Sequence, residues 1–253
     1  MKSIGLAAVF LAAGIVSPAL MADSVVLTQT EYYFADGGEF TAWTSGDNFA
    51  QYYVPSTQVA VGDQTGFQTF CVEASVYFWP NVTYSYSLGD VDSQGRALTE
   101  GTAWLYSQFA KGTLTGYDYA NNVSGGSRTQ DAGLLQSAIW YLQGGQSGGG
   151  SFPVGGAGNP FYDLAATALG GSLYAPDTQN AYGVRIMELW DSSHNTYQNQ
   201  LVDPGVPDRG ATLALLALSL AGLAVFAREF GARKLALQPC PHPRSSPPPV
   251  RLR

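Results

Sequence analysis

"FQTFCVEASVYF", residues 67–78, decides how the rest of the chain is read. Its first half carries strand chemistry: Thr69, Cys71 and Glu73 point one way, while Phe70, Val72 and Ala74 point the other. If Phe70 and Val72 enter a core, Cys71 faces the opposite side, where a helical lobe can cover it. Other short segments have the same character. "SVVLT" (24–28), "QYYV" (51–54), "QVAV" (58–61) and "VTYSYSL" (82–88) are rich in Val, Tyr, Phe and Thr and bounded by Gly, Asp and Pro. They predict an antiparallel sheet or sandwich.

The period then changes from two to that of a helix. In "ALTEGTAWLYSQFAKG" (97–112) Leu98, Leu105 and Phe109 share a face and Gly112 is placed to cap the end. In "TQDAGLLQSAIWYLQGG" (129–145) the stripe is Leu135, Ile139 and Leu142, stopped by Gly144 and Gly145. In "NPFYDLAATALGG" (159–171) Asn159 reads as the N-cap, Pro160 as the first-turn proline and Gly170 as the stop. The glycine-rich stretch 144–158 reads as a loop, and "GVRIMELW" (183–190) as the strand that closes the domain. The fold class is therefore α+β: an antiparallel β-sandwich or barrel with an inserted helical lobe, plus one C-terminal transmembrane helix.

The two ends set the compartment. Residues 1–22 read as a secretory signal, with Lys2 at its start, an apolar run from Ile4 to Val16, and small residues at Ser17, Ala19 and Ala22. "ATLALLALSLAGLAVFA" (211–227) carries no charge and, as a helix, reaches about 25 Å, at the short limit for spanning a bilayer. Arg228, Arg233 and Lys234 follow it, which leaves the basic end cytoplasmic and everything before it outside. The organisation is thus a signal peptide (1–22), an ectodomain (23–203), a segment holding the transmembrane helix and its basic flank (204–234), and a Pro-rich tail (235–253) that cannot bury a core. Between Asp23 and Gly205 the basic residues are Arg96, Lys111, Arg128 and Arg185, set against 17 acidic ones, for a net charge of −13. A surface so negative excludes nucleic acid and anionic lipid as partners.

In this setting the cysteine is unusual. Cys240, the other one in the chain, follows the apolar segment, so Cys71 has no partner on its own side of the membrane. A buried inert thiol and a reactive or intermolecular one both fit. Gln136 raises a matching question, because Ala132, Ile139 and Trp140 place it along an apolar helix surface. Either its amide bonds to strand backbone, or it is no longer an amide.

Taken together, "TFCVE" and "LLQSAIW" resemble the thioester domains of bacterial surface adhesins. In that family an aromatic-Cys-aliphatic strand meets a helix carrying Gln-x-x-aliphatic-aromatic. The resemblance covers about residues 35–190 and implies a bond between the Cys71 sulfur and the Gln136 side-chain carbonyl, formed with loss of ammonia. It implies single-use capture of an external amine-bearing protein or matrix target, with no cofactor, no metal and no enzymatic turnover. Phe70 and Trp140 are expected to shield the bond from water, and Glu73, on the same strand face, is a candidate acceptor for the thiol proton. A second resemblance lies in the tail. "VPDRGATLALLALSLAGLAVFARE" is similar to exosortase-recognised sorting tails in their Val-Pro-Asp form, carried by Val206, Pro207, Asp208 and Gly210. It implies a processing enzyme of that class and a membrane-anchored precursor. The product then stands on the surface or in the extracellular matrix of a Gram-negative bacterium. Arg209 departs from the small residue usual there, and the chain runs on from Leu235 to Arg253.

Two further classes stay in view. A non-covalent surface or carbohydrate-binding module would leave Cys71 free, and a secreted hydrolase would draw on Ser147 of "GQSGG" or on His194. The Gly-x-Ser-x-Gly pattern follows a helix inside a glycine-rich loop, which is the wrong context for a nucleophile elbow. His194 has no nearby Cys or His with which to hold zinc.

Overall fold

The computed structural model describes residues 23–35, 37–120, 127–145 and 153–205. The chain divides into two units, Met1–Gly205 and Val206–Arg253, and the described residues all belong to the first. The predicted signal peptide, Ser147, the sorting residues Val206, Pro207, Asp208 and Gly210, and the predicted transmembrane helix lie outside them. Among the described residues no helix is long and apolar enough to cross a membrane.

The class is α+β. Seven strands, β1 (Ser24–Phe34), β2 (Gly37–Ser45), β3 (Gln58–Val61), β4 (Gln64–Thr69), β5 (Thr83–Gly89), β6 (Arg185–Trp190) and β7 (Thr196–Val202), form one antiparallel sheet in the order β3-β4-β2-β1-β5-β6-β7. Three helices, α1 (Glu100–Ala110), α2 (Ser127–Leu142) and α3 (Pro160–Leu169), are inserted between β5 and β6. The main core joins Leu27, Ala42, Phe67 and Phe70 of the sheet side to Leu105, Phe109, Leu135 and Ile139 of the helices.

Local chemistry explains the helix ends. The Thr99 hydroxyl accepts the Thr102 N–H and starts α1, while the Asn159 side-chain oxygen accepts the N–H groups of Phe161 and Tyr162 and starts α3. The Asn159 amide also donates to the Leu134 and Val154 carbonyls at 2.9 and 2.8 Å, tying the start of α3 to α2. Gly133 lets α2 lie close on β1, for a β-carbon there would come within 2.7 Å of the Phe34 ring.

A buried ion pair fixes the first turn of α2. Arg128 donates through Nε and Nη2 to the two oxygens of Glu39 on β2, at 2.7 and 2.8 Å. The Tyr117 hydroxyl donates to the same carboxylate, and the guanidinium lies 4.3 Å from the centre of the Tyr32 ring. Burial pushes the Glu39 carboxyl upward, while Arg128 is held as a cation by its carboxylate partner.

Three sequence expectations are corrected. "QYYV" (51–54) is not a strand: Phe49–Tyr52 forms a 3-10 turn, and Phe49 and Tyr53 both drop onto Phe67. β4 ends at Thr69, so the strand expected through Glu73 leaves β2 early. The domain is closed by β7, one strand beyond "GVRIMELW". The turn into β7 is set by Asp191, which accepts the Asn195 side-chain amide and the N–H groups of Asn195 and Ser193; these bonds hold its carboxyl down at about 2. His194 occupies this turn with a positive φ of 62°.

Candidate functional site

Where β4 leaves β2, the chain crosses to the far end of the sheet. The Leu201 N–H donates to the Phe70 carbonyl at 3.0 Å and the Val72 N–H donates to the Asn199 carbonyl at 2.9 Å, so residues 70–72 meet β7 and the sheet curls onto itself. Thr69 reinforces this seam by donating its hydroxyl to the Leu201 carbonyl at 2.6 Å. Cys71 stands opposite Gln200 in the antiparallel bridge. Because the flanking residues make the cross-strand bonds, the N–H and C=O of Cys71 itself point away from β7. Both groups are buried and need partners on the other side.

No strand supplies them there, because β2 pairs with β4 only as far as Phe40 and Thr69. Gln136 of α2 takes the place of that strand. The Cys71 N–H donates to Gln136 Oε1 at 3.0 Å, and Gln136 Nε2 donates to the Cys71 carbonyl at 2.8 Å. These two bonds satisfy the buried glutamine without a covalent link. They also seat its carboxamide against the residue that carries the thiol.

The alternation read from the sequence sets the faces. Phe70 and Val72 join the main core, with Phe70 edge-on to Phe109 at 4.9 Å. Cys71 lies on the other side in a small cluster with Phe40 and Trp140. Trp140 therefore covers the sulfur, and Phe70 does not. Its expected shielding place is taken by Phe40, against which Phe78 packs edge-on at 4.9 Å. The reason is the strand period: Phe70, as the neighbour of Cys71, must face the opposite way.

Glu73, the candidate proton acceptor, is fully buried. Its Oε1 accepts the Ser93 N–H at 2.9 Å and its Oε2 accepts the Asn199 N–H at 2.8 Å. Burial raises its pKa, and these N–H groups oppose the rise. With one N–H on each oxygen, Glu73 works as a clamp between the 92–93 turn and β7. The Cys71 thiol is pushed far up by burial, is lowered in part by the Gln200 amide, and is raised further by the Glu73 charge. It is therefore a neutral thiol at physiological pH, shut away from water and from bulky reagents.

Phe40 and the β7 residues Gln198, Asn199 and Gln200 belong to this site, and sequence reasoning missed them. For Phe40 the available signal was the alternation Phe40, Ala42 against Glu39, Thr41, Trp43; for β7 it was only an unusual run of three amides. No group of three or more His, Cys, Asp or Glu side chains able to hold a metal ion occurs among the described residues. Comparison with known protein families, with curated proteins and with solved structures finds no match.

Proposed function

We propose that Cys71 and Gln136 join in an internal thioester, and that the protein uses it once to capture an external amine. What supports this reading is that the Gln136 carboxamide is buried and seated against Cys71, whose side chain is closed in by Phe40 and Trp140; the two bonds to the Cys71 main chain are also those an intact amide makes, and the ammonia deficit decides between the two. In formation, Cys71 Sγ attacks the side-chain carbonyl carbon of Gln136. The S–C bond forms, the C–N bond breaks, and the thiol proton leaves with the nitrogen as ammonia. The Cys71 N–H already donates to the oxygen on which negative charge develops, so its dipole needs no reorganisation during the step.

Capture runs the same centre outward. An amine attacks the thioester carbon, an amide forms, the C–S bond breaks, and the amine proton passes to sulfur. No oxidant or reductant is required. The strongly acidic surface favours approach of a lysine-bearing protein or matrix target. The domain has one lysine of its own, Lys111, whose ammonium is engaged by the Ser107 hydroxyl, which limits self-quenching. We place this chemistry in an exported protein, held in the membrane as a precursor by residues 204–234. An exosortase-type enzyme then processes it for the surface or extracellular matrix of a Gram-negative bacterium. Peptide mapping after methylamine treatment tests the site: the adduct is expected on Gln136, with Cys71 released as a thiol, and an adduct elsewhere contradicts the reading.

A second reading has one observation of its own. An open groove of about 820 Å³ on the sheet surface is lined by Trp43, Thr28, Thr65, Thr83, Asp47 and Asp63 among others, with no cation among its described lining residues. The Trp43 indole is fixed by donating to the Thr28 hydroxyl at 3.0 Å. A fixed indole among hydroxyls and carboxylates suits a neutral sugar, which is the non-covalent, carbohydrate-binding alternative.

A further inference from the structure

Cys71 is fully buried, so an external amine reaches its sulfur only if part of the cover moves. Phe40, Tyr33 and Trp140 around it belong to β2, β1 and α2. Phe40 is paired with Gln29 on one side and Thr69 on the other, and the first turn of α2 is pinned by the Arg128–Glu39 pair. The rest of the cover, Ala74 and Phe78, comes from residues 72–82, which form neither helix nor strand. Ties to this strap are sparse. Among the described residues the main chain of Ala74, Ser75, Val76 and Phe78 makes no hydrogen bond. The Glu73 carbonyl accepts the Gln198 amide, the Tyr77 carbonyl accepts the Gln198 N–H at 3.3 Å, and the Asn81 N–H donates to the Leu27 carbonyl at 2.8 Å. Beyond Phe78, the Tyr84 hydroxyl accepts the Trp79 N–H at 2.8 Å and donates to the Trp79 carbonyl at 3.2 Å. A segment with so few backbone bonds lies at the low-stability end of a fold. Tyr77 and Trp79 point outward, 69% and 70% exposed, while Phe78 between them turns onto Phe40.

We infer that residues 74–81 are the gate of the Cys71 centre, with Phe78 as its plug: the ring swings off Phe40 to admit an amine and closes again to keep water out. As a path for an amine this rests on the proposed thioester. As a path to the sulfur it does not, because the cover is the same over a free thiol. The passage opened by moving one phenyl ring is narrow, so Phe78 also sets which amines enter. An unbranched chain such as a lysine side chain passes more readily than a branched amine.

The test uses the methylamine-treated protein, in which Cys71 is a free thiol whether or not a thioester stood there. Alkylation of Cys71 by iodoacetamide is followed by peptide mass, and the fold by circular dichroism. Phe78→Ala is expected to be alkylated about tenfold or more faster than wild type, since the plug is gone. Tyr84→Phe keeps the ring that packs on Tyr197 and releases Trp79 from outside the Cys71 cluster. It is expected to be alkylated about three- to tenfold faster, as the loss of a hydrogen bond allows, and it carries the test if Phe78→Ala fails to fold. Both rates are expected to stay flat in dilute urea, the mark of a local opening, whereas a thiol reached by global unfolding gains rate with urea. In the capture reaction itself, Phe78→Ala is expected to narrow the preference for methylamine over isopropylamine, and an unchanged ratio overturns that selectivity. A wild-type alkylation rate in either folded variant, or an acceleration that climbs with urea as unfolding does, overturns the gate. A wild-type protein without the ammonia deficit overturns instead the thioester, and the alkylation rates still decide the gate.

Discussion

Replacing Arg128 by methionine is expected to lower the unfolding free energy by about 3–5 kcal/mol, because it strands the Glu39 carboxylate in a dry interior. Both oxygens of Glu39 lose their guanidinium donors, and among the described residues the Tyr117 hydroxyl is the donor left to them. Replacing both partners, with Glu39→Leu added to Arg128→Met, removes the stranded charge and is expected to recover most of the loss. Urea unfolding measures both, with an unchanged slope marking the difference as one of stability. A loss below about 1 kcal/mol in the single variant would mean that the pair does not hold α2. The consequence reaches the site, since Gln136 lies eight residues along the same helix, about 12 Å from the anchor.

Opening the thioester with methylamine is expected to cost about 4 kcal/mol of stability with no mutation at all. The proposed crosslink would close a loop between residues 65 apart in sequence. Closing a loop of that length in the unfolded chain is worth about 4 kcal/mol by loop-closure entropy. Cys71→Ala should then lie close to the methylamine-treated wild type, apart from the small cavity left by the sulfur, and methylamine should leave this variant unchanged. If methylamine leaves the wild-type unfolding curve where it was, no crosslink joins the two residues.

The parts of this fold that were legible are those where one face of an element is apolar. The alternation through Phe70, Cys71 and Val72 placed the cysteine opposite the core, and the helical spacing around Gln136 placed the glutamine on a buried surface. Asn159, Pro160 and Gly170 marked both ends of α3, because caps are local chemistry. β7 was illegible for the opposite reason. Its residues 198–202 are all buried, yet Gln198, Asn199 and Gln200 are polar, since they satisfy the seam and the sulfur rather than the apolar core. β2 was hidden in the same way, with Gly37, Gly38 and Glu39 at its start, and Glu39 reads as a surface residue until Arg128 is seen beside it. "QYYV" misled because tyrosines suit a strand in general, whereas here Tyr53 caps a turn and stacks on Phe67 at 4.7 Å.

Where the sequence alternation and the structure combine is at Cys71. Once the strand has left β2, the Cys71 backbone needs partners on that side, and Gln136 supplies them. The same geometry keeps the thiol neutral and covered, so resistance to alkylation in the folded state does not distinguish a thioester from a buried cysteine. Mass does. The intact mass of residues 23–203, before and after methylamine, tests the central claim most directly, with Cys71→Ala and Gln136→Ala alongside. The account predicts a wild-type mass short by one ammonia, a gain of one methylamine on treatment, and full, unreactive masses for both variants. A wild-type domain of full mass that takes up no methylamine, and whose Cys71 is alkylated on unfolding, would contradict it.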